Sequence, residues 1–209
     1  MIALRPDDVL IVVDLQNDFL PGGSLAVAGG NEVIAPIEAL APRFANLVMT
    51  QDWHPADHVS FASNHPGKQP FETIELPNGT QVLWPDHCII DSPGAAFAPG
   101  LSLPGAQLVI RKGFRRAVDS YSGFREADRT TPTGLAGYLR ERALERVFLC
   151  GLATDFCVAW TALDARAAGF ETFVIEDACR GIDNAGSLAR AWSDMAAAGV
   201  GRIESGALS

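Results

Sequence analysis

Neither of the usual glycine-rich phosphate cradles, GxGxxG or GxxxxGK[ST], occurs anywhere in this 209-residue chain. A dinucleotide or nucleoside triphosphate reading therefore lacks its main sequence support. Positive charge is scarce too, with 16 Lys and Arg against 25 Asp and Glu and a net charge of -9. That balance excludes nucleic acid as a partner, because phosphate binding relies on clustered cations. The one dense basic stretch, Arg111 to Arg116, is short and reads as a local site. No run approaches the ~20 apolar residues that span a bilayer. The first residues, Met1 to Asp8, carry acids and no signal-peptide layout, so no membrane is expected. Only four cysteines occur (Cys88, Cys150, Cys157, Cys179), with no CxxC pair, which predicts free thiols in a reducing cytoplasm. There is no internal repeat and no low-complexity tract.

What is present is an ordinary globular composition, 48% hydrophobic and 20% charged. A chain of this size can bury roughly 70% of the surface its unfolded form exposes. Short β-branched runs predict strands over about 8–14, 46–51, 107–112, 146–150, 172–175 and 202–203. Helical patterns fall between them. One runs from Asn31 as N-cap to near Pro42, and a second from Thr133 to Leu144. A third follows Gly151 with Val158, Leu163 and Ala167 on its apolar face, and the last runs from Asn184 to Ala198. Repeated strand–helix alternation predicts an α/β fold. Its form is a three-layer α/β/α sandwich around a mainly parallel, Rossmann-like sheet, one domain over 1–209. A dinucleotide fold is the second reading. Residues 53–107 lack a helical period and predict an ordered loop insertion, and such long loops are usually functional.

Four strands end at reactive side chains. The first ends at Asp14, the second at Asp52 and His54, and the third at Arg111-Lys112. The fourth opens through Gly151 onto Cys157. In parallel sheets, ligands bind outside the carboxyl ends of the strands, so these groups are expected on one rim. Cys157 falls at a helix start, where free N–H groups and the Lys112 ammonium would favour its thiolate, and Asp14 could take its proton. Taken singly, a buried cysteine, a capping carboxylate and a surface lysine are the ordinary readings of these residues. Taken together, they are a base, a cation and a nucleophile, the set that covalent catalysis uses.

All four histidines (His54, His58, His65, His87) lie in the insertion. Asp52 and His54, two residues apart in an extended segment, point to the same side. With His87 they would leave positions for water or substrate, as catalytic metal sites do. His58 could join them, although Pro55 disfavours a regular helix between the two, and His65 reads as a loop residue. Loop histidines making ordinary hydrogen bonds are the alternative. Phe19, Trp53, Trp84 and Tyr121 interleave with these groups and suggest a slot for a flat heteroaromatic ligand, with Trp53 closer to plain packing.

The segments Val13-Asp14-Leu15-Gln16-Asn17-Asp18-Phe19, Gln51-Asp52-Trp53-His54-Pro55, His58-Val59-Ser60-Phe61, Trp84-Pro85-Asp86-His87-Cys88, Lys112-Gly113 and Gly151 to Val158 closely resemble nicotinamidases. These enzymes, also called pyrazinamidases, are isochorismatase-like cysteine hydrolases. The resemblance runs from about residue 8 to at least 183. The Gly151 to Val158 segment indicates the superfamily, and the histidine-bearing insertion indicates the branch. The resemblance implies hydrolysis of nicotinamide, with pyrazinamide as a second substrate, to the acid and ammonia in NAD salvage. It implies an Asp14–Lys112–Cys157 triad and an oxyanion site at the Ala153 and Cys157 N–H groups, with a cis peptide at Leu152-Ala153. It also implies one divalent metal (zinc first, iron or manganese otherwise) on Asp52, His54 and His87, and substrate contacts from Phe19, Trp84, Tyr121 and Leu152. Many relatives carry a glycine where this chain has Asp91-Ser92. A homo-oligomer is compatible with the sequence. The rivals are a related cysteine hydrolase of another small amide, such as an N-carbamoyl compound, and a non-catalytic binding module on the same fold.

Overall fold

The computed structural model describes residues 1–209. Six strands form one sheet: β1 (Asp8–Val13), β2 (Asn46–Asp52), β5 (Ala106–Lys112), β6 (Arg146–Leu152), β7 (Glu171–Arg180) and β8 (Gly201–Ile203). All neighbouring pairs are parallel, in the order β5-β2-β1-β6-β7-β8. Counted along the main sheet, that is 3-2-1-4-5-6, so the direction of winding reverses between β1 and β6. A crevice opens at such a reversal, outside the strand ends.

Every residue of β1, β2 and β6 is buried. Side chains alternate between faces along a strand, so full burial means both sheet faces are covered, as the three-layer expectation requires. The covering helices are α1 (Ile34–Leu40), α2 (Leu135–Glu141), α3 (Ala159–Ala167) and α4 (Ser187–Ala197). A core of 47 buried residues runs through the sheet and into the helices. No helix is long and apolar enough to cross a membrane.

Several boundaries differ from the sequence reading. Asn31 is not an N-cap: the segment opens as a 3-10 turn, Gly30–Val33, after a left-handed Gly29, and the α-helix starts only at Ile34. The second helix starts at Leu135 behind left-handed Gly134 rather than at Thr133. The insertion is not all loop. It holds an antiparallel hairpin, β3 (Thr73–Leu76) and β4 (Gly79–Val82), half of whose residues are exposed. Short, polar strands give little periodic signal, but the Asn78-Gly79 pair at the turn is the kind of cue that marks a hairpin. Asp91 adopts φ 59, the left-handed region that suits glycine and that Asp tolerates better than most residues.

Candidate active site

Three strand ends carry the central triad. Asp14 follows β1 and turns the chain with φ 48, and its carboxylate meets two partners. Thr50 on β2 donates its hydroxyl to Asp14 Oδ1 at 2.5 Å. Asp14 Oδ2 lies 2.8 Å from Lys112 Nζ, but no donor is aligned with it as a hydrogen bond. Lys112 at the end of β5 is fully buried and donates to the Ser120 carbonyl at 3.1 Å, to the Cys157 sulfur at 3.2 Å and to Asp52 Oδ1. Acceptor atoms of Asp14, Asp52 and Cys157 lie within 4.8 Å of one another. The structure therefore brings Asp14, Lys112 and Cys157 together, although they are spread over most of the chain.

Charge in this cluster corrects one expectation. Cys157 sits on a π-helical turn, Thr154–Val158, ahead of α3. Its thiol is pushed well above the ordinary value, chiefly by burial, with Lys112 drawing it down and the carboxylates of Asp14 and Asp52 adding to the rise. One ammonium between two carboxylates leaves no positive charge in excess to favour a thiolate. Burial also raises the Asp14 carboxyl, against the pull of Lys112. Burial opposes a charged Lys112, but the two carboxylates overcome it and hold the ammonium protonated. A raised carboxylate beside a thiol is a general base in waiting.

On the other side of Asp52, His54 Nε2 lies 3.6 Å and His87 Nε2 3.9 Å from Oδ2. His54 Nδ1 lies 2.8 Å from the Gly113 carbonyl, and His87 Nδ1 2.8 Å from the Pro85 carbonyl. A carbonyl only accepts, so each Nδ1 carries a proton and each Nε2 is turned toward Asp52. Two ring nitrogens and a carboxylate oxygen thus converge at distances too long for hydrogen bonds. That donor set fits a divalent cation, with the two carbonyls as the outer partners that fix the rings. Burial followed by the charge on His54 pushes His87 down to about 4, so it stays a neutral donor. His58 is placed differently: Nδ1 meets the Ser60 hydroxyl at 2.7 Å and Nε2 the Val118 carbonyl at 3.3 Å. Its ring packs 4.4 Å from that of His54, outside the Asp52, His54 and His87 group, and with His54 and Asp119 it forms a second set whose donor atoms lie within 4.8 Å of one another. His65 is a loop residue bonded to the Val59 carbonyl.

A small cavity lies between these two groups. Phe19, Trp84 and Tyr121 line it as expected, with Ala153 and Cys157 on its floor. Trp84 Nε1 donates to the Tyr121 hydroxyl at 3.0 Å, and Phe156 packs edge-on to Trp84 at 4.8 Å. Leu152 is a correction. It is fully buried and lies in the core near Gly30, not on the cavity wall. Trp53 also lies outside, under the Arg111 guanidinium at 3.9 Å. The Leu152-Ala153 peptide is cis, and the Ala153 N–H donates to no backbone carbonyl.

Sequence reasoning missed Leu25, Asp119, Phe156 and Ile182 on the cavity wall, and Thr50 and Gln16 behind it. Gln16 grips the Asp52 peptide from both ends. Its Oε1 accepts from Asp52 N–H at 2.7 Å and its Nε2 donates to the Asp52 carbonyl at 2.8 Å. Thr50 was within reach of the pattern, since it shares a strand face with Asp52 two residues on. Phe156 stands directly before Cys157 on the nucleophile turn, and Leu25, Asp119 and Ile182 come from separate loops with no shared spacing.

A family model for the isochorismatase domain matches residues 8–205. The chain belongs to the isochorismatase domain family. Within it, this isochorismatase-domain chain is 61% identical over 196 residues to the nicotinamidase of Acinetobacter baylyi, covering 94% of this chain and 92% of that one. Among solved structures, it matches a nicotinamidase/pyrazinamidase of Acinetobacter baumanii with TM-score 0.96 and 60% identity, over 97% and 98% of the two chains. It also matches a pyrazinamidase of Pyrococcus horikoshii in complex with zinc, with TM-score 0.77 and 36% identity over 95% and 99%.

Proposed function

We propose that this chain is a nicotinamidase: it hydrolyses nicotinamide, and pyrazinamide with it, to the carboxylic acid and ammonia. The observation that carries the reading is the placement of Cys157, Asp14 and Lys112 at one end of a small aromatic cavity, with a metal-ligand set at the other. A carboxamide on a flat ring fits between a nucleophile and a ring anchor. An N-carbamoyl compound would leave the Asp52, His54 and His87 set without a use.

The steps follow from the residues. Asp14 takes the Cys157 proton as the sulfur attacks the carboxamide carbon. The N–H groups of Ala153 and Cys157 receive the developing oxyanion, a contribution of about 3 kcal/mol per donor. Lys112 stays charged throughout and offsets negative charge passing between the sulfur and Asp14. Asp14 returns its proton to the departing nitrogen, which leaves as ammonia, and a thioester remains on Cys157. Water then loses a proton to Asp14 and attacks the thioester carbon. Collapse of that adduct releases the acid, and the sulfur regains its proton from Asp14. Phe19, Trp84 and Tyr121 hold the ring.

Asp52, His54 and His87 would hold the metal, for which zinc is the first choice. When bound, such an ion supplies a Lewis-acid anchor for the ring nitrogen. The whole chain, 1–209, works as one domain in the cytoplasm, in NAD salvage. The experiment is ammonia release from nicotinamide, with metal analysis of the same purified sample. Efficient turnover with about one divalent ion per chain supports the reading. Turnover of N-carbamoyl substrates alone, with no metal bound, overturns it.

A further inference from the structure

Asp155 stands two residues before the nucleophile and is 6% exposed, yet the mechanism above gives it no task. Its carboxylate reaches a different segment. Oδ1 accepts from the Ile182 N–H at 2.9 Å, and Oδ2 accepts from the Asp183 N–H at 2.9 Å and from the Ser187 hydroxyl. These donors lie on the loop between the end of β7 at Arg180 and the start of α4 at Ser187. The loop passes through left-handed Asp183 (φ 56) and Ala185 (φ 51), conformations that non-glycine residues keep only where their surroundings hold them. A Cβ on Gly181 would come within 3.1 Å of Asp155 Oδ1, so the backbone lies close against the carboxylate. Ile182, the second residue of this loop, lines the cavity beside Cys157.

We infer that Asp155 is a positioning residue for substrate selection: it ties the loop to the nucleophile turn and so holds Ile182 as a fixed wall of the ring pocket. The ligand class set by that wall is a single unsubstituted six-membered heteroaromatic amide, with ring-substituted analogues turned away. This rests on the proposed hydrolysis of such amides. Asp155 touches no reacting atom. Its effect passes through Ile182, whose N–H it binds directly. An asparagine here keeps one acceptor but turns an N–H donor toward the Asp183 N–H, which loosens the loop without removing the side chain.

The test compares nicotinamide with 5-methyl- and 6-methylnicotinamide in the wild type, Ile182→Ala, Asp155→Asn, Ser187→Ala and the Asp155→Asn/Ile182→Ala double variant. Selectivity is read as the ratio of kcat/KM values. It is also read as the ratio of Kd values by calorimetry on the same set carrying Cys157→Ala. Ile182→Ala should reduce the preference for the unsubstituted ring by about tenfold. Asp155→Asn should shift it the same way, chiefly through KM, and the double variant should go no further than Ile182→Ala alone. Ser187→Ala, which removes one donor and leaves the core intact, should give a smaller shift in that direction. A common fall in rate for all three amides in Asp155→Asn, with the ratio unchanged, overturns the inference. So does an unchanged ratio in Ile182→Ala. Absence of ammonia release in the wild type overturns the hydrolytic reading instead, since the Kd ratios still judge the wall.

Discussion

Asp52 and Lys112 are joined across the sheet, with Asp52 Oδ1 accepting from the buried ammonium while Oδ2 faces the Nε2 atoms of two histidines. One carboxylate thus links the cation beside the nucleophile to the metal-ligand set. Burial opposes its ionisation, but Lys112 and His54 prevail and hold it well below the usual carboxylate range. Asp52→Ala should therefore damage both halves of the site. Metal affinity should fall by more than the 10–100-fold that loss of an outer-shell partner typically costs. Turnover should fall even when metal is supplied in excess. Metal titration and steady-state kinetics on one preparation separate the two effects. Full recovery of kcat at saturating metal would show that the link to Lys112 does not matter.

Cys157→Ala should reduce ammonia release by about a thousandfold or more while the fold persists. The side chain is small, and its removal leaves Lys112 paired with both carboxylates. The measurement is turnover alongside a thermal melt. Residual turnover near the wild-type level would remove the nucleophile assignment.

The acid limb of kcat/KM should lie above the ordinary aspartate value of 3.8, because burial raises Asp14 and the base must be ionised to act. The sign for stability runs the other way. A carboxyl raised in the folded state contributes stability below its unfolded value, and that contribution is lost as pH rises through the folded value. Ionising the base is thus opposed by the fold, and Asp14→Asn should remove the limb together with the activity. A pH–rate profile checks this, and an acid limb at or below 3.8 would count against Asp14 as the base.

Gly113, directly after Lys112, has φ 67, and a Cβ there would sit 2.3 Å from His54 Cε1. Its carbonyl also receives the His54 Nδ1 proton. Gly113→Ala must therefore move the His54 ring or the strand end. The expected result is weaker metal binding and a higher KM, with a smaller loss of stability. Metal content after dialysis reads it directly, and retention equal to the wild type would mean the ring has more room than the structure gives it.

Chelation should raise KM for nicotinamide more than it lowers kcat, because the ion anchors the ring and the Cys157 chemistry belongs to the triad. Re-addition of zinc should restore the original values. Unchanged kinetics in metal-stripped protein would show that the ring is held without the ion.

Much of this site was legible because parallel strands are written as apolar runs that stop at chemistry. Val9 to Val13 ends at Asp14, and Leu108 to Ile110 leads to Lys112, so two triad members could be placed on a rim before any coordinates. Trp53, read from the sequence as closer to plain packing, lies outside the cavity under the Arg111 guanidinium. Charge state was less legible. The sequence suggested a thiolate at Cys157, but that depends on how many carboxylates share one ammonium, which only packing reveals. The hairpin β3–β4 stayed hidden because each strand has only four residues, too short a run to show a period. Ile182 and Leu25 were invisible as wall residues because loops from distant parts of the chain bring them together.

Lys112 rides on β5, the outermost strand, which is paired on one side only, with β2. Borders of a sheet fray at lower free energy than its middle. The protein thus keeps its nucleophile and base just beyond the ends of central strands and hangs its only buried ammonium from the selvage. Gentle warming would peel that margin first, withdrawing the cation while the inner sheet stays whole, so catalytic life ends before the molecule melts.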